Sequence, residues 1–221
     1  MQKFDTPAPI TAIVSLPAGR VQMIAADRVD TMVEILPANA LKGRDVKAAE
    51  QVKAAYADGV LRIDGPTTRN RLIGSSGAVE VTVRLPAGSC VESKAGAAAF
   101  RGVGRLGDVV VEGGYRSVKL DETASARLSA HDGDIEVGRL GGPAEITTQR
   151  GHIRISEATG GTVTLSTQRG DISVGAARGV SASLDAGTSY GRVHNELRND
   201  GVTALAVHAT TSYGDITARS L

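Results

Sequence analysis

Apolar and polar side chains alternate with a period of two residues along much of this chain, a pattern typical of β-strands that bury one face. The alternation is clearest over residues 79–85, where valine or leucine occupies every second position and Glu80, Thr82 and Arg84 fall between them. Similar apolar runs begin near residue 10 and recur through the C-terminal half. The pattern therefore predicts an all-β protein.

A short unit repeats through the C-terminal half of the chain. Each copy consists of a strand-like run, a polar turn, a glycine, a polar or charged residue and a second strand-like run, as in residues 165–174. The repeat glycines are Gly96, Gly114, Gly133, Gly151, Gly170, Gly191 and Gly214, spaced by 18, 19, 18, 19, 21 and 23 residues. A nearly constant period of this length is typical of solenoids, in which each coil buries its apolar face against its neighbours. We therefore predict a parallel, β-helix-like β-solenoid of about six to seven coils, each of 18–23 residues.

The repeats also predict which side chains face inward. Leu128, Ile146 and Leu165 lie five residues before a repeat glycine, and isoleucine or valine lies two and four residues after it. Positions of equal parity on a strand share one face, so stacked coils would align these side chains in aliphatic columns. In the last two repeats the matching Leu184 and Val207 lie seven residues before the glycine. This difference predicts a two-residue insertion in the last two turns.

The N-terminal region contains strand signals and one candidate helix. Apolar runs on both sides of Asp58 and Gly59 predict a β-hairpin. Asp45 is a candidate N-cap for one or two helical turns that end near Gln51. Residues 65–77 are rich in glycine and polar residues and predict a surface loop.

A four-residue motif links the two parts of the N-terminal region, since Leu-Pro-Ala-Gly occurs at residues 16–19 and again at 85–88. The recurrence of this motif suggests that two related β units precede the repeats. We assign residues 1–95 to a β-strand region that packs on and caps the solenoid, and residues 96–221 to the solenoid repeats. Both parts are expected to form one continuous structural domain.

Composition narrows the classes of partner. The chain has 25 basic and 24 acidic residues, whereas proteins that bind nucleic acid or anionic membranes normally carry a basic excess. Aromatic residues make up only 3% of the chain, which disfavours stacking platforms for single-stranded nucleic acid. We therefore expect no nucleic-acid partner, and either an unidentified protein partner or self-association.

The cysteine content and the hydropathy pattern bear on compartment. Cys90 is the only cysteine, which excludes an intramolecular disulfide and favours a small half-buried structural residue. No apolar run approaches the ~20 residues of a membrane span, and the first residues lack the apolar core of a signal peptide. These features predict a cytoplasmic protein, with envelope association through a partner left open.

Five segments carry a resemblance to a known family. They are residues 4–10, 14–19, 58–63, 79–88 and 168–174. Together they resemble the bacterial adhesin-like family of β-strand repeat proteins that is called domain of unknown function 4097, and the resemblance covers nearly the whole chain. It implies an all-β, solenoid-like fold, and it implies no established activity, catalytic residue or cofactor.

The residues that follow the repeat glycines form the column with the most chemical potential: Asp134, His152, Asp171, Arg192 and Asp215. Asp134 and Asp171 would suit acid–base cleavage of a sugar, but they belong to alternate coils with His152 between them. An alternation of charge is also what a stacked ladder favours. The four histidines show no zinc-ligand spacing with carboxylate or thiolate partners. We therefore predict no catalytic residue, no metal site and no cofactor.

Two pairs of turn residues are the candidate binding residues. Arg150 and Arg169, each preceded by glutamine, and Tyr190 and Tyr213 would stack along one edge of the solenoid. One interpretation is a solvated edge protected by an aromatic ladder; the other is a binding strip for an anionic or planar partner. Neighbouring guanidinium groups repel by roughly 1 kcal/mol or less when solvated. An acidic surface would remove that repulsion.

The predicted function is a non-enzymatic, adhesin-like β-repeat scaffold or interaction protein. One alternative is a carbohydrate-active enzyme built on a β-helix, which rests on analogy between folds alone. A second alternative is a self-assembling solenoid polymer. In that case coils would add to an open C-terminal coil around residues 216–221, whose backbone groups would lack partners.

Overall fold

A computed structural model describes residues 1–66 and 77–221 of the chain. Most of the loop predicted over residues 65–77 lies outside the described residues. The elements are, in chain order, β1 (Gln2–Asp5), β2 (Thr11–Ala26), β3 (Asp30–Pro37), α1 (Gly43–Gln51), β4 (Lys53–Ala57), β5 (Val60–Asp64), β6 (Val79–Pro86), β7 (Cys90–Asp132), β8 (Asp134–Leu140), β9 (Ala144–Arg150), β10 (Ile153–Ala158), β11 (Gly161–Arg169), β12 (Ile172–Ala176), β13 (Ala182–Tyr190), β14 (Val193–Glu196), β15 (Leu205–Tyr213) and β16 (Ile216–Ser220). The all-β class is confirmed.

The chain divides into two compact units, Met1–Tyr115 and Arg116–Leu221. β7 contributes its first part to one unit and its remainder to the other. In the first unit, β2 is the central strand and its neighbours run parallel to it: β5 and β6 on one side, and residues 90–103 of β7 on the other. Parallel stacking therefore includes strands that precede the Gly96 repeat.

Antiparallel strands complete the first unit. β1 pairs with β3, and β3 pairs with β6 on the side of β6 away from β2. β4 and β5 form a hairpin whose turn residues, Asp58 and Gly59, have φ angles of 50° and 76°. Positive φ at both positions is what the commonest two-residue hairpin turn requires. The hairpin predicted from the Asp-Gly pair is therefore confirmed.

The short helix α1 lies where the sequence predicts helical turns, but the prediction that Asp45 is its N-cap is wrong. The N-cap is Lys42, which makes no side-chain cap hydrogen bond. Asp45 instead lies inside the first turn and is buried, and its Oδ1 accepts a hydrogen bond from the Ala78 backbone N–H at 3.0 Å. The carboxylate thus binds the chain just before β6 rather than its own helix. Among the described residues no helix has the length and apolar character of a membrane span.

The second unit is a stack of parallel coils, and this arrangement supports the β-solenoid-like fold. Each coil supplies one strand before a repeat glycine and one strand after it. The strands before the glycine are hydrogen-bonded in the order β7, β9, β11, β15, β13. Those after the glycine follow the order β7, β8, β10, β12, β16, β14.

The stacking order departs from the chain order at the last two coils. The C-terminal coil, with β15 and β16, lies between the coil of β11 and β12 and the coil of β13 and β14. The prediction of an open C-terminal coil at residues 216–221 is therefore wrong, because β16 pairs on both sides. The physical reason is apolar burial: β16 contributes buried Ile216 and Ala218, whereas β14 reads Val-His-Asn-Glu and is exposed throughout.

The aliphatic column after the glycines is confirmed. Ile135, Ile153, Ile172 and Ile216 are in register on neighbouring strands, and each is 1% exposed. Val193 ends the column on the outermost coil and is 47% exposed. The core of the second unit is thus continuous through its inner coils and open at the last one.

The two-residue insertion predicted for the last two turns is wrong. The register pairs Val163 with Val207 and Val207 with Leu184, and it pairs Leu165 with Ala209. The position five residues before the glycine is therefore present in the last two coils but carries a small side chain. Leu184 and Val207 lie two positions before the residues in register with Leu165, and residues two apart on a strand share one face.

Hydrogen exchange distinguishes the observed stacking order from the order of the chain. Because β15 pairs on both sides and β13 on one, we expect amides of residues 205–213 to exchange at least about tenfold more slowly than those of residues 182–190. Peptide-resolved exchange monitored by mass spectrometry measures the difference. Residues 161–169 are interior in both orders and should match residues 205–213. Slower exchange in residues 182–190 than in residues 205–213 would contradict the arrangement.

Candidate functional site

The repeat glycines form a column at the corner of each coil. Gly151 and Gly170 have φ angles of 147° and 148°, and a Cβ atom on either would clash with the carbonyl oxygen of the repeat glycine in the preceding coil. Their N–H groups donate to the carbonyl oxygens of Arg169 and Tyr213 in the following coil, both at 2.9 Å. Only glycine combines this φ with so close an approach. Each of these corners therefore requires a glycine, and this explains why glycine recurs once per coil in the sequence.

A threonine three residues before each of the last four repeat glycines joins one corner to the next. Thr148, Thr167, Thr211 and Thr188 are in register on successive coils of the stack. Each hydroxyl donates to the carbonyl oxygen of the repeat glycine in the preceding coil, at 3.1–3.3 Å. This ladder was not predicted, although the spacing Thr-x-x-Gly occurs in all four turns and is its signal.

The residues after the glycines form a second ladder of side-chain acceptors. The Asp134 carboxylate accepts the His152 backbone N–H at 2.8 Å, and His152 Nδ1 accepts the Asp171 N–H at 3.0 Å. The Asp171 and Asp215 carboxylates accept the next N–H groups in the same way, from Asp215 and Arg192, both at 2.8 Å. Nδ1 can accept this N–H only when it carries no proton of its own. Four of the column's side chains therefore have a structural task.

The alternation of charge predicted for this column is wrong. The exchange of the last two coils makes Asp215, rather than Arg192, the neighbour of Asp171. Two carboxylates thus lie on adjacent coils, where like charges are unfavourable. Each carboxylate accepts a backbone N–H, and the Arg192 guanidinium lies 3.9 Å from the Asp215 carboxylate. These contacts offset part of the repulsion.

One position before the glycines, five side chains form an exposed row that we call the turn edge. In stacking order they are Asp132, Arg150, Arg169, Tyr213 and Tyr190. The four residues singled out from the sequence are therefore brought together on consecutive coils. Their order differs from the chain, because Tyr213 lies beside Arg169 and Tyr190 ends the row.

The two arginines of the turn edge have different partners. The Arg150 guanidinium forms an ion pair with the Asp132 carboxylate at 3.0 Å. Arg169 has no carboxylate within ion-pairing distance among the described residues; its guanidinium carbon instead lies 5.8 Å from the centre of the Tyr213 ring, within range of a cation–π contact. Folding thus supplies a neighbour for each arginine, which the sequence alone did not reveal. The Asp132 carboxylate compensates the charge of Arg150, whereas the charge of Arg169 has no counter-charge among the described residues.

The tyrosines stack as the sequence predicts. The Tyr190 and Tyr213 rings are 4.9 Å apart and inclined by 4°. Tyr190 is 67% exposed and Tyr213 is 51% exposed. The stack therefore presents aromatic surface to solvent beside an uncompensated guanidinium group.

A surface groove of about 500 Å³ runs along the arginine part of the turn edge. It is lined by Gln149, Arg150, Gln168, Arg169, Ser212 and Tyr213. Guanidinium, amide and hydroxyl groups supply hydrogen-bond donors, and the tyrosine ring supplies a flat apolar wall. The groove can accommodate an oxygen-rich anion more readily than a cation.

The side chains outside the turn edge that could bind a metal or react are His, Cys, Asp and Glu residues. Within residues 1–66 and 77–221, no three His, Cys, Asp or Glu side chains are placed to hold one metal ion. Cys90 is partly buried and forms no disulfide. Asp171 and Asp215 are the neighbouring carboxylates that the sequence did not pair.

Comparisons with known proteins identify the fold. The model of the Toastrack family, DUF4097, matches residues 11–220. No curated protein matches the chain. A solved structure from Bacteroides fragilis, described as a "putative adhesin", has a TM-score of 0.57 at 14% identity, with 98% of this chain and 95% of that chain covered. A second, also described as a "putative adhesin", comes from Parabacteroides merdae and has a TM-score of 0.44 at 10% identity, with 100% and 95% covered. The likeness to the Bacteroides fragilis structure shows a shared fold.

The threonine ladder predicts a specific loss of stability. Thr167→Val keeps the shape of a side chain that is 3% exposed but leaves the Gly151 carbonyl oxygen without its hydroxyl donor. We expect the free energy of unfolding to fall by about 1–2 kcal/mol. Thr164→Val, on the exposed face of the same strand, should change it by less than about 0.5 kcal/mol. Urea melts of both variants measure the difference. Equal losses of unfolding free energy would show that the threonine ladder does not stabilise the fold.

Proposed function

The chain belongs to the Toastrack family DUF4097, and on that premise we propose that it is a non-enzymatic interaction scaffold whose turn edge binds an anionic partner. The observation that supports this most directly is Arg169. It is an exposed cation that lies between a neutralised arginine and an exposed tyrosine, and it has no carboxylate partner in the described part of the chain.

The surroundings of Arg169 favour an anion with several oxygen atoms. An arginine presents two parallel N–H donors that match a carboxylate, sulfate or phosphate group. Gln168 and Gln149 lie in the same groove and can donate to further oxygens of the ligand. The Tyr213 ring, whose centre lies 5.8 Å from the guanidinium carbon, adds a flat wall against which a planar anion can lie.

The family and its fold suit display rather than catalysis. The name of the Bacteroides fragilis protein suggests attachment to another surface, and we include attachment of this kind in the proposal. The proposal also includes a solenoid of about six to seven coils, with residues 96–221 as its repeats. A cytoplasmic location, which the sequence favours, stays part of the same proposal.

Binding to a defined polyanion tests the anionic partner. The probes are immobilised heparin, which carries sulfate and carboxylate groups, and poly-glutamate, which carries carboxylates alone. We expect Arg169→Ser to weaken binding at low salt by about tenfold or more, the effect of one charged hydrogen-bonding group. Arg150→Ser should weaken it less, because Asp132 already neutralises that side chain.

A matched variant controls for net charge. Arg154→Ser removes the same charge from an exposed position on β10, away from the turn edge. It should weaken binding less than Arg169→Ser does at the same salt concentration, because Arg154 lies outside the groove and cannot donate to an anion bound there. If all three variants lose the same affinity, the association follows net charge and the turn edge is not a site. If the parent protein binds neither heparin nor poly-glutamate, the proposal is wrong.

A second candidate function rests on the neighbouring carboxylates of Asp171 and Asp215. Adjacent acids can divide the roles of proton donor and acceptor in sugar cleavage, so a carbohydrate-active enzyme is the alternative. What speaks for a structural role is that both carboxylates already accept backbone N–H groups.

The variant Asp171→Asn separates the two functions. Its amide oxygen can still accept the Asp215 N–H, so the ladder and the melting temperature should be retained. We expect no polysaccharide turnover by the parent and no change in heparin binding by the variant. Turnover by the parent that disappears in Asp171→Asn would establish the enzyme.

A further inference from the structure

The parallel stack of the second unit ends in an unpaired edge. β13 pairs with β15 and β14 pairs with β16, and within the described chain neither strand has a neighbour on its other side. Near its start the edge is covered, because the Ala182 N–H donates to the Arg198 carbonyl oxygen at 2.8 Å. The uncovered part of β13 therefore runs from Leu184 to Tyr190. Unpaired strand edges are templates for pairing with another chain.

Apolar columns of the core end at this edge. Val193 is 47% exposed, whereas its neighbour Ile216 is 1% exposed. Leu184 is half-buried, whereas its neighbour Val207 is 1% exposed. Tyr190 ends the aromatic stack with 67% of its surface exposed. A further strand beside the uncovered part of β13 would cover Leu184.

Beyond its covered start, β13 lacks the side chains that usually protect an edge strand from pairing. Lys, Arg and Pro on an edge strand oppose its association with other strands, and β13 contains none of them. Its one charged residue is Asp185. The position of this charge determines which pairing is favourable.

We propose that β13 pairs antiparallel with β13 of a second copy of this chain, about a two-fold axis at Ala186. In this register Asp185 lies opposite Gly187 of the partner subunit, so no charge faces a like charge. Leu184 lies opposite Thr188 of the partner subunit, which places a large side chain against a smaller one. A register centred on Asp185 would instead set the two aspartates against each other, which is unfavourable.

A second copy is favoured over a different protein because this edge complements itself. A two-fold axis uses the same strand on both sides, so β13 of both copies is covered and growth through β13 stops at the dimer. This replaces the solenoid polymer considered from the sequence, whose growing end was placed at the wrong coil. The inference does not rest on the binding of an anion at the turn edge.

Two substitutions at Gly187 test the register. A Cβ atom at Gly187 meets no atom within 4 Å, and its φ is not in the left-handed region, so both Gly187→Lys and Gly187→Asp should fold as the parent does. In the dimer a lysine would face Asp185 of the partner subunit twice, whereas an aspartate would repel it twice. We expect the dimer dissociation constant of Gly187→Asp to exceed that of Gly187→Lys by about tenfold or more.

Sedimentation equilibrium of the full chain, at low salt and up to a concentration of about 1 mM, measures these constants. The same pair of substitutions at Thr147, an exposed residue of β9 in the middle of the stack, serves as the control and should not separate the two charges. A monomeric parent at the highest concentration overturns the proposal, as does equal dimerisation of the two Gly187 variants. Growth beyond the dimer overturns the two-fold arrangement. Arg169→Ser should leave the dimer unchanged, and loss of dimer in that variant would assign self-association to the turn edge.

Discussion

The close approach of successive coils at the glycine corner is the constraint on which the rest of the second unit depends. The absence of a Cβ atom at Gly151 and Gly170 lets the backbone of one turn lie directly against the next. Threonine hydroxyls then bind the glycine carbonyl oxygens, and the side chains after the glycines bind the following N–H groups. Polar backbone groups at the corner are thereby paired across coils rather than left to solvent. The spacing of the repeat is a consequence of this pairing.

Features that every coil needs for itself could be predicted from the sequence. Each strand requires its own alternation, and each corner requires its own glycine, so both signals recur in every copy. The column of Ile135, Ile153 and Ile172 was predicted on that basis and is confirmed by the register. The hairpin at Asp58 and Gly59 is a similar case, because its turn conformation is dictated by the two residues themselves.

Features that depend on comparison between coils could not be predicted. Because neighbouring coils offer the same backbone ladder, the order of stacking is decided by small differences in apolar burial, such as Ile216 against Val193. Because the order of the last two coils was predicted incorrectly, the neighbour of Asp171 in the charge column was also predicted incorrectly. That neighbour is Asp215. The position of Leu184 in its coil could not be predicted for a related reason, because the size of an apolar side chain does not identify its position on the strand. A strand tolerates a smaller residue at a core position wherever its neighbours fill the space.

The turn edge combines a fixed backbone with freely varied side chains. The corner requires threonine and glycine in each of the last four turns, but the residue before the glycine points outward and is not needed for folding of the corner. That position is accordingly Arg150, Arg169, Tyr213 and Tyr190 on successive coils. Neighbours along the row nevertheless interact, through an ion pair at one end and a ring stack at the other. Arg169 lies where the ionic part meets the aromatic part. It gains a ring but no counter-charge, and for that reason the charge available to a partner is at this residue.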